Sequence, residues 1–187
     1  PPLHDPQFRR LWAAGLLGSL VRWLEILVFG VFAYQQTRSA FWVASMTMLR
    51  MLPMALFGVL WGVLAARISR RSGLLATQGA LLATTLALLA LSAFDALEVW
   101  HLAAASFING AAWAGDNPLR RALMGDIVGP LRMGHAMALD AVANNACRLL
   151  GPALGGLLLA QAGMPAVFAL TAVLYALALA ALLTLHE

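Results

Sequence analysis

Six long apolar segments constrain the fold of this 187-residue chain more than any other feature. They cover roughly residues 11–34, 40–66, 73–94, 99–117, 136–160 and 165–185. A helix needs about 20 apolar residues to cross a bilayer, so each segment qualifies as a span. The segments are rich in Leu and Ala and lack the period-two alternation of barrel strands. Since backbone groups in lipid must satisfy one another, we predict an all-α polytopic membrane protein with six transmembrane helices in a single bundle over residues 1–187.

The composition supports this prediction and leaves no room for a separate soluble domain. Hydrophobic residues make up 62% of the chain and charged residues 11%, with a mean hydropathy of +0.83, whereas soluble domains carry about 25% charged residues. The single cysteine, Cys147, excludes a disulfide framework and a cysteine-based metal cluster. No histidine pairs with another ligand at metal-binding spacing, so we expect neither a metal nor a cofactor.

The basic residues are all arginines, and their positions predict the orientation of the chain. Eight of the twelve lie on one side of the predicted membrane: Arg9, Arg10, Arg67, Arg70, Arg71, Arg120, Arg121 and Arg132. One residue, Arg38, lies on the other side. Because arginine concentrates in cytoplasmic loops, we expect both termini in the cytoplasm. The net charge of +4 then reflects topology, and we expect no nucleic-acid partner, which would need a basic patch interleaved with aromatic residues.

An internal repeat relates the second and fifth spans. The segment 50–58 (RMLPMALFG) aligns with the segment 148–156 (RLLGPALGG) at an offset of 98 residues, with five identities in nine positions. An offset of three spans makes the two copies cross the membrane in opposite directions. We therefore predict two inverted three-helix repeats, an arrangement that is typical of secondary transporters.

Four charged residues lie near the predicted bilayer midplane: Arg22, Arg50, Arg148 and Glu25. A lone charge at that depth costs about 2.5–3.5 kcal/mol on insertion scales, so these groups must face one another or a wet cavity. A salt-bridge cluster that fastens helices is one interpretation, and a substrate or ion pathway is the one we favour. The excess of positive charge favours an anionic substrate or an acidic partner from another subunit. Glu25, the one midplane carboxylate in this set, is the candidate for proton coupling.

Other polar residues of the spans extend this candidate site. Asp140, Asn144 and Arg148 recur at a spacing of four and share one helix face. Asn109, midway along the fourth span, can hydrogen-bond to a neighbouring helix. Each asparagine either joins helices, the interpretation we slightly favour, or contacts the substrate.

Two motifs resemble those of the major facilitator superfamily. The first looks like its antiporter motif, the GPxxGG run formed by Gly151, Pro152, Gly155 and Gly156. The second resembles its signature loop between helices two and three, with matches at Gly62, Arg67, Arg70 and Arg71. Ala66 stands where the family pattern has an aspartate, and Ser69 where it has a second glycine. The segments 8–12 and 117–128 are similar to the bacterial exporter branch related to enterobactin exporters.

This resemblance implies both a fold and a class of function. The implied fold is the amino-terminal six-helix half of a twelve-helix transporter, whose substrate binds at the midplane between two halves. The chain would therefore form a homodimer, pair with a separate half, or be part of a longer transporter. The implied function is proton-coupled efflux, by antiport, of a small organic compound across the bacterial inner membrane, and the midplane charge excess favours an anionic one. Its partners would be the substrate, protons, the second half and the lipid bilayer.

Two other classes of function compete with transport. A non-transporting membrane subunit or assembly scaffold would carry the same charges in a closed network without a water-filled path. An intramembrane serine protease needs a serine and a histidine within hydrogen-bond reach. Neither Ser19 nor Ser45 has a histidine at a comparable depth, so we do not expect an enzyme.

Overall fold

The structure, a computed structural model, describes residues 4–65 and 68–185. Within these ranges the chain forms helices and no strand, which confirms the all-α fold class. The helices are α1 (Pro6–Thr37), α2 (Ala40–Ala65), α3 (Arg70–Ala93), α4 (Val99–Val128) and α5 (Pro130–Leu183). By length and composition, four of them can cross a membrane: α1, α2 up to Gly58, α3 and α5.

Helix α5 contains both the fifth and the sixth predicted spans in 54 residues. Helical geometry is interrupted at Gly163, where φ is +74° and ψ is −175°. Glycine adopts positive φ without steric cost, and Pro165 just beyond it has no amide hydrogen to continue the helix. The connection predicted at residues 161–164 is therefore a kink between two helical segments, 130–162 and 164–183, rather than an open loop.

Three helix boundaries lie outside the predicted spans. α1 begins at Pro6, where the Asp5 carboxylate accepts a hydrogen bond from the amide of Gln7 at 2.9 Å and so caps the helix. α4 continues to Val128 instead of ending at residue 117, with Pro118 accommodated inside it. α5 begins at Pro130 instead of residue 136. Hydropathy marks the apolar part of a helix, and these helices extend beyond that part.

Helix α2 packs against α4 through an unusually close backbone contact. A Cβ added at Gly110 of α4 would overlap the main-chain carbonyl of Arg50. Glycine is therefore needed at this position for the two helices to approach. The contact brings the Arg50 side chain to α4.

Helix α1 packs against α5 in a similar way. A Cβ added at Gly151 would lie 2.8 Å from Cβ of Trp23, and one added at Gly155 would lie 2.9 Å from Cγ of Leu24. The repeat-related second and fifth spans are thus each held against another span by a glycine contact. Helix α3 contacts both α4 and α5.

A band of buried polar residues separates two apolar clusters. One cluster includes Phe8, Leu11 and Leu119, near the end of the bundle that holds the start of α1. The other includes Phe29, Leu102 and Phe168, near the opposite end. Between them lie buried Glu25, Arg50, Gln78, Asn109, Asp116 and Arg120. The fold therefore concentrates its buried charge near the middle of the bundle, between the two apolar clusters, where the sequence places the candidate site.

Candidate functional site

Glu25 is the centre of a buried cluster built by α1, α2 and α4. Its side chain is 1% exposed. Nδ2 of Asn109 donates a hydrogen bond to its Oε2 at 2.8 Å, and Nη2 of Arg50 lies 3.6 Å from the same oxygen. Nη1 of Arg50 also donates to the main-chain oxygen of Arg22 at 3.4 Å. Three predicted site residues, Glu25, Arg50 and Asn109, are thus in direct contact.

A second buried cluster surrounds Asp116. Its Oδ2 lies 3.4 Å from Nε of Arg120, and its Oδ1 accepts a hydrogen bond from Nε2 of Gln78 at 3.3 Å. Nη1 of Arg120 donates to Oδ1 of Asp140 at 2.8 Å. The predicted site residue Asp140 therefore belongs to this cluster, in which one guanidinium is shared by two carboxylates.

The prediction that Arg120 lies in the connection between the fourth and fifth spans is wrong. Arg120 is inside α4 and only 5% exposed. Gly15 of α1 makes room for it, because a Cβ there would overlap its guanidinium. Asp116 was missed because it lies at the predicted end of the fourth span, before an Asn-Pro pair that resembles a turn. Its spacing of four residues from Arg120, which places both on one helix face, is the signal that could have found it.

These contacts also change the charge balance. The midplane count from the sequence gave three arginines and one carboxylate. The structure adds Arg120, Asp116 and Asp140, so four arginines stand against three carboxylates. The positive excess is one charge instead of two, so most of the charge in this set is compensated within it.

A cavity of about 330 Å³ lies beside the Glu25 cluster and opens to the surface of the bundle. Its polar lining consists of Arg22, Arg50, Arg148, Asn144, Thr47 and Ser106. The rest of the lining is apolar or aromatic, with Trp23 and Trp113 among it. The predicted midplane arginines, which come from three helices, therefore share one cavity.

Aromatic rings position the guanidinium groups around this cavity. The guanidinium of Arg22 lies 4.6 Å from the ring centroid of Trp113, and that of Arg148 lies 5.1 Å from Trp23. The indole Nε1 of Trp23 donates to Oδ1 of Asn144 at 3.4 Å. Such stacking holds a guanidinium without neutralising it. Among the described residues, neither Arg22 nor Arg148 has a carboxylate within 4.0 Å, so both retain their charge for a ligand.

The signature-loop residues lie at one end of the bundle, away from this cavity. Arg70 forms an ion pair with Asp126 at the end of α4. Nη2 of Arg71 donates to the main-chain oxygen of Leu183 at 2.8 Å, at the end of α5. Gly62 and Arg67 lie outside the residues whose surroundings the structure describes. Through these contacts, the described part of the loop connects the start of α3 to the ends of α4 and α5.

The GPxxGG residues lie at the α1–α5 contact and not in the cavity. Gly151 and Gly155 supply the close approach described above, and a Cβ at Gly156 would lie 3.3 Å from Cδ2 of Leu27. Pro152 lies within α5. The motif therefore shapes a helix interface.

The whole chain, residues 1–187, matches the family described as transmembrane secretion effector. This chain belongs to the major facilitator superfamily. It is 24% identical over 176 residues to the staphyloferrin A transporter of Staphylococcus aureus, covering 94% of this chain and 44% of the relative. It is 25% identical over 177 residues to the uncharacterized MFS-type transporter YfiS of Bacillus subtilis, covering 91% of this chain and 41% of the relative.

The superfamily assignment confirms the resemblance found in the sequence and the prediction that the chain is not an enzyme, since the matched family and relatives are transporters. The chain spans less than half the length of these relatives. The narrower likeness to enterobactin exporters stays a prediction. Among the described residues, no group of three His, Cys, Asp or Glu side chains is placed to hold a metal ion.

Proposed function

We propose that this chain is a six-helix half of a secondary active transporter in the bacterial inner membrane, with both termini in the cytoplasm. Its transport cycle moves a small organic compound and is coupled to protons. The observation that carries this proposal is a pair of guanidinium groups, Arg22 and Arg148, that have no carboxylate within 4.0 Å among the described residues and face one cavity beside the buried carboxylate Glu25. A closed scaffold would have no reason to keep these charges without partners at mid-span depth.

The proposed substrate is an amphipathic anion. Arginine binds carboxylate and phosphate groups through charge-assisted hydrogen bonds, and Arg22, Arg50 and Arg148 supply three such groups. The apolar and aromatic remainder of the lining suits a hydrophobic body. The volume of about 330 Å³ lies at the lower end of small-molecule sites, which hold about 300–1,000 Å³. The S. aureus relative, a transporter of staphyloferrin A by its name, supports an organic compound as the substrate.

Glu25 is the proposed proton-coupling residue because its ion-pair partner, Arg50, also lines the cavity. Arg50 contacts the Glu25 carboxylate on one side and lines the substrate cavity on the other. Any change in the charge of Glu25 therefore alters the guanidinium that is available to the substrate. The resemblance to exporters favours efflux in exchange for protons.

The shared Arg50 also supports a second candidate function, cotransport of the anion with a proton. A proton on Glu25 releases Arg50 from its carboxylate, so proton and anion binding would strengthen each other. Exchange requires instead that the two compete. Two observations together distinguish exchange from cotransport: whether the substrate is an anion, and whether proton binding at Glu25 strengthens or weakens substrate binding.

The proposed partner is a second six-helix half, either another copy of this chain or a different segment. Arg148 is exposed on this half although the sequence predicts that it lies at mid-span depth. The apolar side chains of Met48, Met51 and Met54 on α2 are also exposed nearby in the same half. A second half opposite these residues would close the cavity and exclude lipid from Arg148.

The experiment is reconstitution of the complete transporter in proteoliposomes with Glu25→Gln. We expect the variant to lose transport driven by a pH gradient and to keep substrate exchange without a gradient, because glutamine preserves the shape of the side chain. Glu98→Gln, at an exposed helix start, is the matched control. Unchanged gradient-driven transport by Glu25→Gln would refute proton coupling, and failure of the wild-type protein to transport any compound would favour the scaffold.

A further inference from the structure

A second cavity, distinct from the substrate cavity, lies between the Glu25 cluster and the Asp116 cluster. Its volume is about 20 Å³, and a cavity needs about 10–15 Å³ on this measure to hold one water molecule. The polar residues of its lining are Arg22, Arg50, Gln78, Asn109, Asp116 and Tyr175, together with the indole of Trp113.

Four buried polar atoms of the lining residues have no hydrogen-bond partner among the described residues: Asn109 Oδ1, Gln78 Oε1, Trp113 Nε1 and Arg50 Nη2. The amide nitrogens of Asn109 and Gln78 are already used, because they donate to Glu25 and Asp116 respectively. The lining thus offers two acceptors and two donors. One water molecule matches this set, since it donates two hydrogen bonds and accepts others.

We propose that this cavity binds one ordered water molecule and that Asp116, linked through it, becomes the counter-ion of Arg22 and Arg50 when Glu25 carries a proton. The inference rests on the proposed coupling role of Glu25. It assigns a role to Asp116 that goes beyond its ion pair with Arg120.

The groups that face Glu25 come from four helices. Arg22 lies on α1 itself, Arg50 comes from α2, Asn109 from α4 and Tyr175 from α5. When Glu25 is ionised, its charge compensates the two arginines. When Glu25 is protonated, that compensation is lost, and an uncompensated charge inside the bundle is unfavourable.

The groups that face Asp116 include the same arginines. Gln78 of α3 and Arg120 of α4 contact its carboxylate directly. Arg22, Arg50 and Tyr175 line the small cavity with it. Asp116 is the one carboxylate among the described residues of that lining. Asp140, on the far side of Arg120, pairs with the same guanidinium. Arg120 therefore does not fully neutralise Asp116, whose carboxylate remains available to the arginines of the cavity.

Removing the Asp116 charge should therefore make protonation of Glu25 harder. The pH at which proton-coupled transport is half-maximal should fall, because a more positive surrounding favours the ionised form of Glu25. We expect a fall of about one pH unit for Asp116→Asn, the usual size of an effect from one nearby charge. Asparagine keeps the acceptor for Gln78, and Arg120 keeps Asp140, so the variant should still fold and exchange substrate.

A glycine pair in α1 tests the role of the water without changing any charge. Gly18 lines the small cavity, and a Cβ there would lie 3.5 Å from Nε2 of Gln78, an ordinary contact. Gly18→Ala should therefore occupy the space of the water without a collision. Gly30 is its matched control, since a Cβ there would lie at the same distance of 3.5 Å from Cγ1 of Val43, and Gly30 is outside the cavity lining.

The experiment measures gradient-driven transport against pH in proteoliposomes that contain the complete transporter. We expect Gly18→Ala to lower the half-maximal pH by about half the effect of Asp116→Asn, and Gly30→Ala to leave it unchanged. The double variant Gly18→Ala/Asp116→Asn should match Asp116→Asn alone, because both changes interrupt one link.

An unchanged half-maximal pH in Gly18→Ala, or shifts that add in the double variant, would overturn the inference. Gly18→Ala decides the question even where Asp116→Asn does not fold. If Glu25→Gln keeps full gradient-driven transport, the proposed function itself is wrong. If Glu25→Gln loses it while Asp116→Asn shows the wild-type pH profile, the proposed function stands and the inference about Asp116 is wrong.

Discussion

Arg50 connects the buried carboxylate of Glu25 to the substrate cavity: its Nη2 lies 3.6 Å from Oε2 of Glu25, and the same side chain lines the cavity. Both residues are almost fully buried. A buried pair of this kind stabilises the fold only as long as both partners remain, because each leaves an uncompensated charge when the other is removed. The pair is therefore a stability determinant as well as the proposed coupling element.

The first prediction concerns this dependence. Arg50→Met should destabilise the protein by about 3–5 kcal/mol, because it leaves the Glu25 carboxylate buried and unpaired. Adding Glu25→Gln should recover part of the loss. Arg121→Met, which removes an exposed arginine of α4, should change stability by no more than about 0.5 kcal/mol. Thermal unfolding in detergent measures the wild type, the two single variants, the double variant and the Arg121→Met control. A double variant whose cost equals the sum of the single costs would contradict the prediction.

The second prediction concerns the sign of the pH effect on substrate affinity. An anionic ligand and the Glu25 carboxylate both pair with Arg50, so protonation of Glu25 should strengthen anion binding. Affinity for an anion should therefore rise as the pH falls, whereas affinity for a neutral analogue should not. In Glu25→Gln the anion affinity should be high and independent of pH. Quenching of Trp23 and Trp113, which line the cavity, provides the binding measurement. An anion affinity that rises as the pH falls would support cotransport with a proton, and an anion affinity that falls as the pH falls would support the proposed exchange.

How far the sequence predicts this site depends on whether the needed information lies within one helix. Depth within an apolar run placed Arg22, Arg50 and Glu25 near mid-span, and the structure brings their helices together. The same criterion misassigned Arg120, because an arginine near the end of an apolar run looks the same whether it faces water or a buried carboxylate. Its partner Asp140 comes from α5, and a contact between two helices depends on packing that hydropathy does not describe. The all-α fold class required only composition and run length.

The third prediction concerns the glycine contact between α2 and α4. Gly110→Ala should cost at least about 1–3 kcal/mol, the usual effect of overpacking, because the new Cβ would overlap the Arg50 carbonyl. Gly79→Ala on α3 is the matched control, since a Cβ there would meet nothing within 4 Å. That control should be neutral or stabilising by about 0.5–1 kcal/mol, as alanine favours helix over glycine. Equal melting temperatures for the two variants would show that α2 and α4 are not packed this closely.

The fourth prediction concerns the proposed orientation of the chain. Cys147 is buried, so introduced cysteines can be labelled above a low background. Gln36→Cys, exposed in the last turn of α1, should react with a membrane-impermeant thiol reagent added outside intact bacteria. Leu131→Cys, at the start of α5 and 96% exposed, should react only after the membrane is permeabilised. Labelling in the reverse order would place both termini outside the cytoplasm.

The fifth prediction concerns Arg148, whose charge has no carboxylate partner within 4.0 Å among the described residues. Because Arg148 is exposed on this half and rests on Trp23, Arg148→Ala should leave the melting temperature nearly unchanged. It should weaken anion binding by tenfold or more, since a hydrogen bond to a charged group contributes about 1.5–3 kcal/mol and about 1.4 kcal/mol is tenfold. A neutral analogue should lose far less. Arg38→Ala, on a connection outside the cavity lining, controls for the loss of one positive charge. Equal weakening of the anion and the neutral analogue would assign Arg148 a packing role against Trp23 in place of a charge contact with the substrate.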